Sequence, residues 1–275
     1  MKTEMIHVEN MEFVNEEAIV YVPPIGKERI LEATQILGKY KRSKANLEKR
    51  IIENEQWFKM RHIESRKSDG DEFTSAWLFN SIANKHADAM DNYPRVNCLP
   101  REKSDKEAAK ILTGILSVVF ERNNFEKIYS DTWWYKLKAG TGVYGIFWNP
   151  KKQNGLGEIE IKQVSLLNVF WEPGVRNIQN SKNFFSVELT NNDLLLSTYP
   201  FLKGKLGTST VEVSKYIYDD TVDTSSKSAV VDWYYKKFIN GVEVLHYCKF
   251  CNGEILYASE NDPQYYEKGF YSHAQ

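Results

Sequence analysis

The stretch AGTGVYG, residues Ala139–Gly145, spaces its glycines as G-x-G-x-x-G. In dinucleotide-binding proteins this pattern follows a strand and opens a helix, whose N-terminus holds the pyrophosphate. Here a helical pattern from about Phe125 precedes the glycines, and the β-rich run IFWNP follows them. The order is reversed, so an NAD oxidoreductase is disfavoured. We expect Gly140 to end a helix in the left-handed conformation, with Gly142 and Gly145 allowing close packing of the next strand.

Helical spacing of apolar residues dominates the chain before this junction. A charged segment from about Lys27 to Lys67 has sparse apolar positions, so we expect a helix that is mostly solvated or faces a partner. A buried amphipathic helix is expected over Phe73 to Asp91, and another opens at the capping box SDKE, Ser104–Glu107. Residues 1–26 read as an acidic leader, expected to be extended or flexible.

Strand patterns dominate after the junction. The run TGVYGIFWN is expected to pair with EIEIKQV across a turn, and a short helix capped by Asn191 or Asn192 interrupts the later strands. Two Asn-Gly dipeptides predict a three-stranded meander over 229–239, 242–251 and 254–258. The predicted fold class is therefore α+β, with a helical region over 27–140 and a mainly antiparallel β region with hairpins over 141–275.

Composition sets limits on the function. The formal net charge of the 275 residues is −1, which gives no global attraction to nucleic acid or membrane. No apolar run approaches the roughly 20 residues of a membrane span. Three cysteines argue against a disulfide framework and favour synthesis in a reducing cytoplasm. The aromatic content, with 7 Trp, 16 Tyr and 14 Phe, favours a large core or subunit interfaces.

Motifs for catalysis are weak. His246, Cys248 and Cys251 lie together in HYCKFC, but residues three apart on a strand point to opposite faces, so structural cysteines are favoured over a metal site. His86 reads as a core or interface histidine. No G-x-S-x-G motif and no Walker A loop occur. We therefore expect no enzymatic activity, no cofactor and no bound metal.

Positive charge is concentrated near the N-terminus. The segment from Lys27 to Lys67 carries twelve Lys and Arg against six Glu, whereas the remainder is net acidic. Its densest part, KYKRSKANLEKR, could contact phosphates or a partner without reading sequence. A simple solvated helix is the competing interpretation. The candidate contact residues are Lys39, Lys41, Arg42, Lys44, Lys49 and Arg50.

The order of these features resembles the portal proteins of tailed bacteriophages, from about Phe73 to the end. The resemblance is carried by NKHADAMDNYPRV, by AGTGVY (139–144) with FWNP (147–150), by NVFWEP (168–173), and by the closing NGEILYASENDPQYYEKGFYSHAQ. These motifs are structural rather than catalytic, and their order carries the resemblance.

The resemblance implies a structural subunit of a ring, usually of twelve copies, at one capsid vertex. Such a ring passes double-stranded DNA during packaging and ejection, and it docks terminase, scaffold, capsid and head–tail connector proteins. The chain would be the α+β wing portion, without the stem and clip, located in the virion and in the host cytoplasm during assembly. Two alternatives remain open: another phage head or tail-connector protein, and a nucleic-acid-binding module of a mobile element that uses the basic helix 39–50.

Overall fold

The structure, a computed structural model, describes residues 24–61, 75–206, 226–239 and 242–262. Four helices come first, then strands with one short helix between them, so the α+β class is confirmed for the described part. The elements are α1 (Lys27–Phe58), α2 (Trp77–Asp91), α3 (Lys106–Arg122), α4 (Phe125–Ala139), β1 (Val143–Asn149), β2 (Glu158–Val164), β3 (Val169–Trp171), β4 (Asn183–Asn191), α5 (Asn192–Thr198), β5 (Lys227–Ile239), β6 (Val242–Cys251) and β7 (Glu254–Ala258).

The helix-to-strand junction forms as expected. Helix α4 ends at Gly140, which has a φ of +80° and donates its N–H to Lys136 O at 2.9 Å. Strand β1 then runs so close to α4 that a Cβ atom built on Gly142 would lie 2.6 Å from Thr132 Cγ2. The glycine spacing therefore serves a tight return of the chain, and no helix follows it to receive a pyrophosphate.

The described strands form two antiparallel sheets. Strands β1 and β2 pair as a hairpin, and β3-β4-β5-β6-β7 form a five-stranded sheet whose neighbours follow chain order. The expected meander is confirmed by the pairing of β5 with β6 and of β6 with β7. Asn252 and Gly253 both have positive φ, as the tight Asn-Gly turn requires. Asn191 caps α5 by accepting from the N–H of Asp193 at 3.0 Å.

Helix α1 packs on one face of the five-stranded sheet, contrary to the expectation of a mostly solvated helix. Ile30, Leu37 and Ile51 are at most 2% exposed and join one core cluster with sheet residues such as Phe185 and Trp233. The sparse apolar residues recur on a single helical face, and Ala33 and Tyr40 complete that face. Charged residues occupy the rest of the surface of α1. Because they outnumber the apolar residues, the sequence pattern did not reveal the stripe that is buried.

Two details of the next helices differ from the expectations. The capping box lies two residues earlier than Ser104, because the Asp105 carboxylate accepts from the N–H of Glu102 at 3.3 Å, around a 3₁₀ turn that precedes α3. The buried face of α2 contains His86 and Ala89, whereas Trp77 is 79% exposed. His86 stacks on Trp134 with ring centroids 4.1 Å apart, which makes it a packed histidine as expected.

Some expectations fall outside the described residues. These concern most of the acidic leader, the end of the charged segment after residue 61, the position of Phe73, and the Asn240-Gly241 turn.

Candidate functional site

Helix α1 presents a basic face to solvent because its opposite face is buried against the sheet. Lys39, Arg42, Lys49 and Arg50 are all exposed and recur at spacings that keep them on the outward side of the helix. Lys41 is half-buried at the edge of this face. Five of the six candidate contact residues are therefore brought together along one stretch of α1, and we call them the basic face.

The sixth candidate, Lys44, lies on the buried side of α1 and does not belong to the basic face. Its ammonium donates hydrogen bonds to the backbone carbonyls of Leu166 and Val169, the latter at 2.6 Å. It also lies 4.4 Å from the centroid of the Phe170 ring, a favourable cation–π position. Burial lowers the pKa of Lys44 to about 8, although the Glu48 carboxylate acts in the opposite direction.

The sequence predicted Lys44 as a surface cation because it lies inside the densest basic run. One observation in the sequence pointed the other way: Lys44 is four residues after Tyr40 and seven after Leu37, on the same helical stripe. A lysine with a long apolar stem can occupy such a position when backbone carbonyls accept its protons. Lys44 thus links α1 by hydrogen bonds to the segment that leads into β3.

Acidic residues flank the basic face at both ends. Arg29 and Glu32 pair near the start of α1, and Lys49 Nζ lies 3.8 Å from Glu53 Oε1. The Lys49 pair is long and solvated, so it leaves the lysine largely available to another anion. The net positive charge is therefore confined to about three turns of helix, from Lys39 to Arg50.

The cysteines of HYCKFC point to opposite faces of the sheet, as strand alternation predicted. Cys248 lies in the core beneath α1, and Cys251 lies in the smaller cluster beneath α5. Burial raises the pKa of Cys248 to about 12 and that of Cys251 to about 11, so both thiols are poor nucleophiles at neutral pH. Among the described residues no group of three His, Cys, Asp or Glu side chains could hold a metal ion.

A buried polar cluster at one end of the sheet was not predicted from the sequence. The Glu260 carboxylate, 1% exposed, accepts from Tyr235 Oη and from Lys237 Nζ, the latter at 2.6 Å. Next to it, Ser259 Oγ lies 3.0 Å from His246 Nδ1 and accepts from the N–H of Tyr247. Ser259 is fully buried, so this arrangement resembles a structural network rather than an accessible nucleophile.

No helix in the described ranges is long and apolar enough to cross a bilayer.

Comparison with known proteins identifies the family. No curated protein matches the chain. The family model described as phage P22-like portal protein matches residues 82–271. The matched range begins within α2, contains the junction at Gly140 and both sheets, and extends beyond β7. Because this range covers well over half of the 275 residues, the chain belongs to the phage P22-like portal protein family.

Proposed function

We propose that the chain is a subunit of a ring, of about twelve copies, that forms the conduit for double-stranded DNA at the capsid vertex. Membership of the portal family implies a structural role and ring assembly in a phage capsid. The proposal adds the passage of DNA in packaging and ejection, and docking of terminase, scaffold, capsid and connector proteins. It also adds assembly in the host cytoplasm before incorporation into the virion.

The observation that carries the proposal is the family match across residues 82–271. The fold agrees with the wing portion of a portal subunit, which the resemblance describes as α+β. We retain the division into a leader over 1–26, a helical region over 27–140 and a mainly β region over 141–275, with one refinement. Helix α1 shares its core with the five-stranded sheet, so the helical region is not structurally independent of the strands.

The test is a packaging reaction with capsids assembled from the phage's own proteins. Capsids assembled with the full reading frame that contains this sequence should protect DNA from nuclease when terminase and ATP are supplied. Capsids assembled without it should not. If both kinds of capsid protect DNA equally, the proposed conduit function is wrong. Ring assembly is tested independently by electron microscopy.

A second candidate function, contact with nucleic acid, rests on the basic face of α1. Lys39, Arg42, Lys49 and Arg50 present four exposed cations within twelve residues, and such a stripe favours sequence-independent contact with phosphates. The module of a mobile element proposed from sequence would use this face to hold DNA. In a portal ring the same face would instead touch DNA transiently or meet an acidic partner.

The salt dependence of duplex binding tests whether the basic face is a DNA contact site. Replacing the four exposed cations by Gln should flatten the plot of log affinity against log salt by roughly 0.9 for each phosphate contact that is lost. The matched control replaces Arg101, Lys103, Lys106 and Lys110, which are also exposed and carry the same total charge. If both variants lose affinity equally, binding reflects net charge and the basic face is not a site.

A further inference from the structure

The outward side of helix α3 is apolar and uncovered in the described structure. Ile111, Ile115 and Val118 recur at helical spacing and are 62%, 52% and 44% exposed, with Leu112 beside them. Ala109 is the residue of α3 that is buried. A helix that turns its apolar stripe outward is expected to have that stripe covered in the assembled state.

The β1–β2 hairpin also exposes large apolar side chains. Ile146 and Trp148 lie on one face of β1, and Ile159 is the pairing partner of Trp148 on β2. Their exposed fractions are 72%, 60% and 36%, and Leu156 at the end of the hairpin is 83% exposed. The hairpin therefore projects several large apolar side chains that neither sheet nor helix covers in the described part of the chain.

Polar contacts join the C-terminal end of α3 to the hairpin. Arg122 at the end of α3 pairs with Glu158 at 2.9 Å. The adjacent Asn123 donates to Ile159 O and accepts from the N–H of Ile161, each at 3.0 Å. We call the exposed apolar residues of these two joined elements the overhang; it comprises Ile111, Leu112, Ile115, Val118, Ile146, Trp148, Leu156 and Ile159.

Trp148 packs on the backbone of the hairpin turn although it is 60% exposed. A Cβ atom built on Gly157 would lie 2.2 Å from the indole, so the ring lies directly on the glycine backbone. A side chain that already packs on the backbone has less conformational freedom to lose on binding, and Trp is enriched among residues that dominate interface energies. The hairpin thus presents a preorganised anchor.

We propose that the overhang is a contact surface between adjacent copies of this chain in the ring, an inference that rests on the proposed function. Its eight side chains are large and apolar and are 36% to 83% exposed, and exposed apolar area of this kind marks an interaction site on a soluble protein. The apolar character does not suit DNA phosphates, and a second copy is a partner that ring assembly requires.

Two substitutions test the overhang in the full reading frame. Ile115→Lys and Trp148→Ala should reduce the fraction of chain found in rings by at least tenfold at a concentration where the unmodified chain is assembled. Both side chains are exposed, so circular dichroism and the melting temperature of the unassembled chain should change little. Leu31→Lys, 64% exposed on α1, is the matched control and should leave ring formation intact.

A second measurement does not depend on a disruptive substitution. A cysteine introduced as Ile146→Cys should react with maleimide in the unassembled chain and become at least tenfold slower to react in rings. The overhang is not the contact surface if the unmodified chain forms rings, the two variants form them equally well, and the introduced cysteine reacts at the same rate in rings. The proposal of a ring would then still stand. If the unmodified chain forms no rings at all, the proposed function fails together with this inference.

Discussion

At the scale of single residues, Lys44 links α1 to the segment that leads into β3. Replacing it by Met removes the donor to two buried carbonyls, those of Leu166 and Val169. We expect the free energy of unfolding to fall by about 1–3 kcal/mol, the usual effect of leaving buried acceptors unpaired. Urea denaturation of Lys44→Met measures this loss. Lys49→Met, at an exposed position of the same helix, should change stability by less than about 0.5 kcal/mol. If the two variants lose the same stability, the two hydrogen bonds of Lys44 do not stabilise the fold.

The same residue predicts a pH dependence. Burial lowers the pKa of Lys44 to about 8 in the folded chain, against 10.5 when it is solvated. Between these values the unfolded chain binds more protons than the folded chain, so this residue makes stability rise with pH. The stability of the unmodified chain relative to Lys44→Met should therefore increase by on the order of 1 kcal/mol between pH 7.5 and 9.5. A difference that is constant or decreases over this range would contradict the assignment.

Gly142 gives a prediction that separates a packing glycine from a nucleotide-binding one. Gly142→Ala would place a Cβ atom 2.6 Å from Thr132 Cγ2 and 3.0 Å from Thr132 O, so we expect destabilisation of about 1–3 kcal/mol. Gly114→Ala is the matched control on α3, where no heavy atom lies within 4 Å. It should stabilise the chain by about 0.5–1 kcal/mol. Thermal denaturation of both variants checks the contrast in sign.

At the scale of elements, strand β6 places its two cysteines on opposite faces of the sheet. Both thiols are fully buried, and burial raises their pKa values to about 12 and 11. Alkylation of the native chain at pH 8, followed by mass spectrometry, should therefore modify Cys98 and spare Cys248 and Cys251 until the chain is unfolded. Rapid modification of either β6 cysteine in the native chain would show that the sheet opens or that the face assignment is wrong.

Elements with a clean local pattern were predictable from the sequence. The end of α4 at Gly140, the β1–β2 hairpin, the Asn191 cap of α5 and the Asn252-Gly253 turn each depend on a few neighbouring residues. Local patterns do not say which neighbour covers a helix. For this reason the burial of α1 against the sheet, the inward position of Lys44 and the uncovered stripe of α3 appear only in the tertiary structure.

At the scale of the whole molecule, two surfaces of different character are available for assembly. The basic face of α1 is polar and its charges are screened by salt, whereas the overhang of α3 and the hairpin is apolar and includes Trp148, which packs on Gly157. A ring subunit needs strong lateral contacts and a conduit along which DNA can slide. Assembly should therefore depend weakly on salt, while any DNA contact should weaken steeply as salt rises. Light scattering and duplex binding over the same salt series measure both; loss of rings at moderate salt would contradict the apolar assignment.

Ring assembly is the central claim, and electron microscopy tests it most directly. Images of the purified full reading frame, with the particle mass determined by light scattering, should show closed rings of about a dozen subunits around a central hole. In a reconstruction, the overhang should lie at the boundary between adjacent subunits. A monomer or dimer whose mass does not change with concentration would contradict the proposed portal ring.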